Sequence, residues 1–527
     1  MSTIKRQLRA ERKRRLEQRR RRVLRRLEHR QGDIRDAPML TASNIHYELA
    51  DRVQGLGAGG IGAIHLLARR SGLIDTIDRR LHLLKIHQPY HESDHVLNLA
   101  YNVLCDGTCL DDLELRRHDE AYLDALGAER VPDPTTAGDF CRRFEEPDIQ
   151  ALMNAINQVR LQVWREQPSS FFEEAIIDAD GTMIPTTGEC KEGMDISYKG
   201  TWGYHPLLVS LANTGEPLFV MNRPGNRPSH EGASWYLDRS ARLCQQAGFK
   251  RVLLRGDTDF TQTRRLDRWD QAGYRFIFGM DAMSNLVDLA ENLPKTAWKR
   301  LKRPVRYEVQ TEPRSRPPKV KEAIVRARGF ETIRLCSEDV AAFDYSPTFC
   351  KKTYRVVVVR KNLSIEKGEQ MLFDDVRYFF YLTNDRKMSA SDVVFSANDR
   401  CDQENLIAQL KAIRSLHAPV DNLMSNWAYM VMTSLAWTLK AWFALSLPEK
   451  GRWADRRRAE KRSVLRMEFR TFLNAFMRVP CQIVQTGRRI VYRLLAWNPW
   501  QAVFLRAVDA LRSPPRGGNV FRCPMRC

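Results

Sequence analysis

The sequence is short of acidic side chains, of long apolar stretches and of cysteines in a paired framework. Its 64 Asp and Glu residues oppose 85 Lys and Arg residues, which gives a net charge of +21 over 527 residues. This excess of positive charge favours a polyanionic partner. The 11 cysteines are scattered along the chain, a distribution typical of reduced thiols in a cytosol rather than of a secreted disulfide scaffold.

We expect neither a signal peptide nor a membrane span from this sequence. Its N-terminus is charged and has no apolar segment of the kind that a signal peptide requires. The main apolar run extends from Trp427 to Leu447, but it contains Lys440 and several polar residues. This run therefore predicts a buried helix, and we expect a cytoplasmic protein with no membrane partner.

An arginine-rich segment lies near the N-terminus. Residues 5–30 combine many arginines with good helix formers and with leucines at intervals. This pattern predicts a basic helix that binds the phosphate backbone of DNA. A solvated run of charge with no specific role is the alternative interpretation.

The region that follows is typical of a helical domain. Apolar residues recur at intervals of three and four up to about residue 167, which predicts helices for DNA binding and assembly. A G-x-G-x-x-G match at residues 55–62 is not preceded by a β-branched strand, so a turn that opens a helix is favoured over a dinucleotide site. Cys105, Cys109 and His118 are weak indicators of zinc, because a zinc site needs four ligands at compact spacing.

Two apolar strands that end in aspartates come next. The first precedes Asp180 and the second precedes Asp257, and the strands that alternate with a helix around them predict a mixed α/β domain. Because side chains alternate along a strand with a period of two, Asp178 lies on the same face as Asp180, and either could be the functional acid. The same choice arises between Asp257 and Asp259. Asp180 and Asp257 are favoured because they lie at the turns.

A helix predicted over residues 397–411 carries the third acid. With a helical period, one face contains Arg400, Glu404, Ile407 and Lys411. A carboxylate between two cations suits a phosphate site, since the carboxylate can hold a divalent metal and the cations can hold the polyanion. The alternative is an ordinary surface ion pair between Arg400 and Glu404.

The three acids have the chemistry that phosphoryl transfer requires. This reaction needs carboxylates that converge on two divalent cations about 3.5–4 Å apart. Hard cations prefer oxygen ligands, so Asp180, Asp257 and Glu404 are suitable residue types. Strand ends hold such side chains on a rigid backbone.

These acidic segments carry a family resemblance. Asp-Gly-Thr after one strand, Asp-x-x-Phe after a second and Arg-x3-Glu-x6-Lys on a late helix resemble the DDE transposases of bacterial insertion sequences. The chain is most similar to the branch with a β-strand insertion before a last box that reads Tyr-x2-Arg-x3-Glu-x6-Lys, the YREK box. Other similar segments are residues 111–113, 203–207 and 223–226, and the resemblance covers roughly residues 40–445.

The sequence departs from the pattern of that branch in two boxes. The box tyrosine is replaced by Ala397, which puts the DNA contact of that tyrosine in doubt. Thr258 and Asp259 stand where Gly or Ser is commoner, and this leaves open which aspartate of the second box binds metal. Neither departure removes a carboxylate.

The resemblance implies a function and a set of site residues. It implies an RNase H-like core, Mg²⁺ as the working ion with Mn²⁺ as a substitute, and DNA cleavage followed by strand transfer. Asp180, Asp257 and Glu404 would be the catalytic residues and the metal ligands, while Arg400 and Lys411 would contact DNA. The partners would be double-stranded DNA of the transposon ends and of the target, bound by a homodimer at the nucleoid of a bacterial cytoplasm.

We therefore predict an α/β protein with an RNase H-like catalytic core, an inserted β-rich subdomain, and helical N- and C-terminal regions. The predicted division is a basic arm (1–35), a helical DNA-binding and assembly domain (36–168), the first segment of the core (169–282), the β-rich insertion (283–376), the second segment of the core (377–447) and a basic helical C-terminal region (448–527).

The predicted function is that of a transposase that binds the inverted repeats of its insertion sequence. It would act by a cut-and-paste route, for which end hairpins are common in this branch. An RNase H-like nuclease without strand transfer, or an inactive DNA-binding regulatory copy, is the alternative.

Overall fold

The computed structural model describes residues 3–27, 42–43, 45–47, 53–87, 89–303, 320–367, 370–486 and 489–513. Backbone contacts divide the chain into two units, which we call unit 1 (residues 1–167 and 409–527) and unit 2 (residues 168–408). The longest stretches of the predicted regions outside the described residues are three. They are residues 28–41, at the end of the basic arm and the start of the helical domain, residues 304–319 of the insertion and residues 514–527 of the C-terminal region.

The N-terminal portion of unit 1 is mainly helical, as its apolar periodicity predicts. Its elements are α1 (Thr3–Leu27), β1 (Gln54–Leu56), α2 (Ile61–Arg70), α3 (Leu73–Arg80), α4 (Glu92–Leu104), α5 (Leu113–Arg117), α6 (Glu120–Leu126), α7 (Pro134–Arg142) and α8 (Glu146–Arg165). The glycine-rich stretch forms a turn directly before α2, which confirms that it opens a helix. At α7 the Asp133 carboxylate accepts a 2.8 Å hydrogen bond from the Thr136 amide and caps the first turn.

Unit 2 alternates strands and helices. Its elements are β2 (Ala175–Gly181), β3 (Ile184–Pro185), β4 (Asp195–Ile196), β5 (Trp202–Tyr204), β6 (Leu207–Leu211), β7 (Glu216–Met221), α9 (Ala233–Ala247), β8 (Val252–Gly256), α10 (Thr263–Gln271), β9 (Arg275–Met280), α11 (Ser284–Glu291), β10 (Lys299–Arg300), α12 (Val320–Ala327), β11 (Glu331–Tyr345), β12 (Tyr354–Lys367), β13 (Gln370–Thr383), α13 (Ala390–Asn398) and α14 (Cys401–Ala412). The last of these, α14, runs past the end of the unit at residue 408.

A nine-stranded mixed sheet forms the centre of unit 2. The strand order is β10-β11-β12-β13-β9-β8-β2-β6-β7. The β2–β8 and β8–β9 pairs are parallel, and β2–β6 and β6–β7 are antiparallel. Because β2, β8 and β9 run in the same direction, their carboxyl ends lie at one edge of the sheet, where side chains from two separate strands can meet.

The long strands of the predicted insertion continue this sheet. β13 pairs with β9 in antiparallel fashion, and β12 and β11 follow it in the order of the sheet. Val357 and Val359 of β12 pack in one core cluster with Leu253 of β8 and Ile277 of β9. The insertion is therefore joined to the core by backbone pairing and by a shared apolar core. Residue 376, its predicted end, lies within β13.

The helix predicted over residues 397–411 is two helices. α13 ends at Asn398 and α14 begins at Cys401, so Arg400 lies in the connection. The Gln403 amide donates to the Arg400 carbonyl at 2.8 Å, which closes a tight turn of four residues. Asn and Asp favour helix ends over helix interiors. Asn398 and Asp399 therefore explain why the helix is interrupted, although helical periodicity alone predicts one continuous helix.

The C-terminal portion of unit 1 contains the helix predicted from the main apolar run. Its elements are α15 (Leu423–Leu445), α16 (Ala454–Arg466), α17 (Phe469–Phe472), β14 (Cys481–Thr486), β15 (Arg489–Leu494) and α18 (Gln501–Leu511). Every residue of α15 from Ser425 to Leu445 is buried, which confirms the predicted buried helix. Within the described ranges, no helix is long and apolar enough to cross a membrane.

The all-helical interpretation of the flanking regions was wrong in one place. β14 pairs with both β1 and β15, and the three strands form a small antiparallel sheet in unit 1. The sequences CQIVQT and RIVYRL carry β-branched residues typical of strands. The segment was predicted to be helical because of its many arginines, and its β-branched residues were given too little weight.

Candidate active site

The carboxyl ends of two parallel strands position the first two acids. Asp178 of β2 pairs in register with Arg255 of β8, so Asp180 and Asp257, each two residues further on, lie at the same edge of the sheet. Asp180 is the penultimate residue of β2. Asp257 follows β8 directly, and its carboxylate accepts a 3.1 Å hydrogen bond from the Asp259 amide. Tertiary pairing thus brings together two acids that are distant in the sequence.

A buried ion pair lies one layer below these acids. The Asp178 carboxylate accepts two hydrogen bonds of 2.7 Å from the Arg255 guanidinium, and the exposures of the two side chains are 1% and 4%. Arg255 also donates to the Ser396 carbonyl of α13 at 2.7 Å. One guanidinium therefore ties together β2, β8 and α13. The Asp178 carboxylate is engaged in this ion pair. Asp180 lies two residues further on, near the carboxyl end of β2.

Arg400 connects the first acid to the third. Its guanidinium lies 3.2 Å from Oδ2 of Asp180 and 3.1 Å from Oε1 of Glu404. The Arg400 and Asp180 side chains are largely buried, at 15% and 12% exposure, while Glu404 is 57% exposed. Arg400 therefore links a carboxylate of β2 to a carboxylate of α14. The alternative from the sequence, an isolated surface ion pair between Arg400 and Glu404, does not include the contact with Asp180.

The electrostatics of the cluster favour a bound cation. Burial raises the pKa of Asp180 to about 7, against the lowering effect of Arg400, and the charges of Asp257 and Glu404 raise it further. Burial also raises the pKa of Asp257, and Arg400 again opposes the shift. Although burial disfavours its charge, Arg400 has a raised pKa because Asp180, Asp257 and Glu404 surround it. The carboxylates therefore repel one another and would gain from further positive charge.

Two buried polar contacts set the start of α14. Gln403 donates from Nε2 to the Leu208 carbonyl at 3.1 Å, and its Oε1 accepts from the Ser210 hydroxyl. Both partners belong to β6, the neighbour of β2 in the sheet. Because Gln403 immediately precedes Glu404, these contacts fix the helix that carries the third acid.

The other residues considered from the sequence, Lys411, Ile407 and Asp259, lie outside the contacts made by Arg400. Lys411 lies about two turns after Glu404, near the end of α14, and it belongs to unit 1. Its side chain is half-buried, and this burial lowers its pKa. Ile407 is buried at 6% exposure, so it packs into the interior rather than lining an acidic face. Asp259 is exposed beside Asp257.

The cluster has donors of the type that divalent cations require. Asp180, Asp257 and Glu404 offer only oxygen ligands, the set that Mg²⁺ and Mn²⁺ prefer. In the described stretches of the chain, these carboxylates do not form a group whose ligand atoms all lie within 4.8 Å of one another. Arg400 contacts two of them instead, and the exposed Glu404 has room to move. The donor chemistry fits a metal pair.

Some residues of the site were missed by sequence reasoning. They are Arg255, Gln403 and Ser210, whose hydrogen bonds hold the elements that carry the acids. A signal was present for Arg255, since a charged residue within a buried apolar strand requires a partner. No local pattern identifies Ser210 as the partner of Gln403.

The Cys105, Cys109 and His118 set is not brought together as a metal site. Cys105 is buried, and His118 instead pairs with Glu114 at 3.2 Å. Among the described residues these three do not appear in any compact group of ligands. The described cysteines are all free thiols.

The sequence matches the family model described as "Transposase DDE domain group 1" over residues 56–515. Among solved structures, the chain is similar to a piggyBac transposase in a synaptic complex with hairpin DNA. The identity is 11%, the TM-score is 0.31, and the alignment covers 88% of this chain and 87% of that chain. A search of proteins with curated function finds no match.

Proposed function

We propose that this chain, which belongs to the transposase DDE domain group 1 family, binds the inverted repeats of its own insertion sequence, cuts them and joins them to target DNA. As a DDE transposase the chain is an enzyme that transfers phosphoryl groups on DNA. The proposal extends to the catalytic residues, the metal ion, the excision route and the oligomeric state. The route is cut-and-paste through hairpin ends, performed by a homodimer that holds both transposon ends.

The observation that carries this proposal is the link between three acids of separate elements. Asp180 and Asp257 follow neighbouring parallel strands, and Arg400 contacts both Asp180 and Glu404. Carboxylates that gather at one sheet edge are the arrangement that metal-dependent phosphoryl transfer requires. We therefore assign Asp180, Asp257 and Glu404 as catalytic metal ligands.

The sheet supports an RNase H-like core. Within it, the run β7-β6-β2-β8-β9 has three antiparallel strands followed by two strands parallel to β2. This arrangement of five strands is the one we expect of an RNase H-like core. The first and fourth strands in sequence order, β2 and β8, end in the proposed ligands.

The roles of the residues follow from their charges and positions. We assign Mg²⁺ as the ion, with Mn²⁺ as a substitute; a pair of such ions would activate the attacking oxygen and stabilise the leaving oxygen. Asp180 and Asp257 have raised pKa values, so they release protons when a cation is bound. Arg400 is then available to donate to a phosphate oxygen and offset its developing charge, and Lys411 would hold the DNA backbone.

A joining assay tests the proposed function. The full chain is incubated with Mg²⁺, labelled DNA carrying the ends of its element and a supercoiled target plasmid. We expect labelled ends to become covalently joined to the plasmid, with hairpins at the excised ends. Cleavage without joined products would favour an RNase H-like nuclease, and binding without cleavage would favour an inactive regulatory copy. Either result contradicts the transposase proposal.

The raised pKa of Asp180 predicts how stability changes with pH. The folded carboxyl keeps its proton up to about pH 7, whereas the unfolded one has its ordinary pKa of 3.8. The stability of metal-free unit 2 should therefore fall as pH rises between these values and level off above about 7. Asp180→Asn should remove this loss, so that it becomes stabilising relative to the native chain by on the order of a few kcal/mol at about pH 7.

The measurement is amide hydrogen exchange of β2 and β8 in the two proteins across that pH range. Added Mg²⁺ should remove most of the advantage of the variant, because the ion compensates the carboxylates. An advantage for Asp180→Asn that does not change with pH would contradict the assigned ionisation.

The N-terminal helix predicts a salt-dependent DNA contact. One face of α1 rests on unit 1, since Arg12 pairs with Asp509 at 2.5 Å and Arg19 donates to the Leu494 carbonyl at 2.6 Å. The other face exposes arginines, among them Arg14, Arg21 and Arg25. Replacing these three by alanine should reduce the slope of log affinity against log salt by about 3, since each phosphate contact contributes roughly 0.9.

Filter binding of end DNA at several salt concentrations measures this slope. The matched control is Arg12→Ala with Arg19→Ala, which removes two arginines from the packed face of α1. If the exposed-face variant keeps the native slope, α1 is a solvated helix with no part in DNA binding.

A further inference from the structure

A second group of metal-binding side chains lies in unit 1, at the start of α4. His87, His91 and Glu92 each offer one ligand atom, and these three atoms all lie within 4.8 Å of one another. Within the ranges that the structure describes, this is the group of three or more His, Cys, Asp and Glu residues that meets that limit. Its side chains have no part in the proposed chemistry of Asp180, Asp257 and Glu404.

Glu92 is held rigidly as a potential ligand. Its side chain is 1% exposed, and its Oε1 accepts hydrogen bonds of 3.0 Å from the amides of both Leu83 and Leu84. The other oxygen, Oε2, lies 3.1 Å from Nε2 of His87. One oxygen thus anchors the carboxylate, and the second faces an imidazole. A buried carboxylate aimed at an exposed histidine is poised to share a cation with it.

The two histidines are exposed and adjacent. Their rings stack with centroids 4.8 Å apart and planes 7° from parallel. Both residues are exposed, so each ring presents an edge to solvent. His91 sits at the helix start, where its amide donates to the Asp94 carboxylate at 2.9 Å, and this contact fixes its backbone.

We propose that His87, His91 and Glu92 bind a divalent transition-metal ion, Zn²⁺ in the first instance, with water as a further ligand. Imidazole nitrogen suits Zn²⁺ and Co²⁺, while Mg²⁺ prefers oxygen ligands alone. This site therefore selects a different ion from the acidic cluster of unit 2. The protein would hold two classes of metal, one at each site.

The distances agree with such a site. With bonds of about 2.0–2.1 Å and tetrahedral angles, two ligand atoms of one Zn²⁺ ion lie roughly 3.3 Å apart. The His87–Glu92 pair already has a separation of 3.1 Å. The remaining separations, at most 4.8 Å, close by rotation of exposed rings. Binding would tie the chain that follows α3 to the first turn of α4 and so stiffen this connection of unit 1.

The test uses Co²⁺ as a spectroscopic substitute for Zn²⁺ in the full chain. We expect visible absorption bands of a four- or five-coordinate nitrogen and oxygen site, saturation at one ion per chain and loss of the bands when Zn²⁺ is added. His87→Ala and His91→Ala should each weaken Zn²⁺ binding by about 100-fold or more, since loss of even an outer-shell partner costs 10–100-fold.

Matched controls separate this site from others. His82→Ala and His118→Ala remove exposed histidines outside the group and should leave the bands unchanged. Asp180→Asn with Asp257→Asn tests the contribution of the acidic cluster, whose oxygen ligands give only weak absorption. Glu92→Gln keeps the shape of the carboxylate and should also weaken binding. Circular dichroism reports whether each variant folds.

Three outcomes would overturn the proposal. The native chain could give no cobalt bands, the bands could persist in both His87→Ala and His91→Ala, or a thiolate-to-cobalt charge-transfer band could show that cysteine is the ligand. Because His87 and His91 are exposed, their variants are expected to fold, so any of these results is decisive even if Glu92→Gln does not fold.

Discussion

Asp180→Asn, Asp257→Asn and Glu404→Gln should each reduce DNA cleavage by about 10³-fold or more while leaving binding of end DNA largely intact. A divalent ion supplies several kcal/mol of transition-state stabilisation, and each 1.36 kcal/mol corresponds to roughly a factor of ten in rate. Each variant keeps the size of the native side chain but replaces a charged ligand by a neutral amide. Binding persists because arginines and lysines elsewhere supply most of the affinity for the phosphate backbone.

The measurements are single-turnover cleavage of labelled end DNA and filter binding of the same DNA. Asp402→Asn is the matched control, because Asp402 is an exposed acid of α14 two residues before Glu404 and should retain native cleavage. Asp259→Asn decides between the two aspartates that follow β8, and we expect it to cut at a rate within about tenfold of the native chain. Native activity in all three ligand variants would refute the assigned site.

Arg255→Met should destabilise unit 2 by about 3–5 kcal/mol, the usual cost of removing one partner of a buried ion pair. The variant leaves the Asp178 carboxylate, at 1% exposure, without its guanidinium. It also removes the hydrogen bond to the Ser396 carbonyl, which ties α13 to the strands. Because β2, β8 and α13 lead into the three acids, we expect cleavage to fall together with stability.

A double variant separates charge from packing. Asp178→Leu combined with Arg255→Met replaces the pair by apolar side chains, and such exchanges are often close to neutral. We expect it to recover much of the lost stability, as measured by amide hydrogen exchange of β2 and β8 and by urea unfolding. Equal protection of β2 in the native chain and in Arg255→Met would contradict a stabilising role for this ion pair, as would additive losses in the double variant.

The recovery of cleavage in the double variant tests whether the ion pair positions the acids or only stabilises the fold. If the ion pair acts by positioning the acids, the double variant should bind metal and cut DNA less well than the native chain even where its stability is restored. The loss of the Ser396 contact would then be the cause, because α13 would be free to shift. Full recovery of cleavage would reduce Arg255 to a purely stabilising residue.

Much of the local structure was predictable because its signals are local. Apolar strands before Asp180 and Asp257, the buried α15 and the basic α1 follow from periodicity, charge and propensity within short windows. The break between α13 and α14 was not predicted, because the sequence on both sides of Asn398 and Asp399 has a helical pattern. The strands β14 and β15 were missed because neighbouring arginines dominated the composition.

By itself the sequence determined which residue types were available: two acids at strand ends, a third acid on a helix with an arginine one turn before it, and an excess of positive charge. Only the tertiary structure decided which of them meet. The parallel register of β2 with β8 sets Asp180 level with Asp257, and the buried contacts of Arg255 and Gln403 hold α13 and α14 against those strands. Such pairings join segments far apart in the chain, and their free energy depends on shared burial and hydrogen bonding that no local window contains.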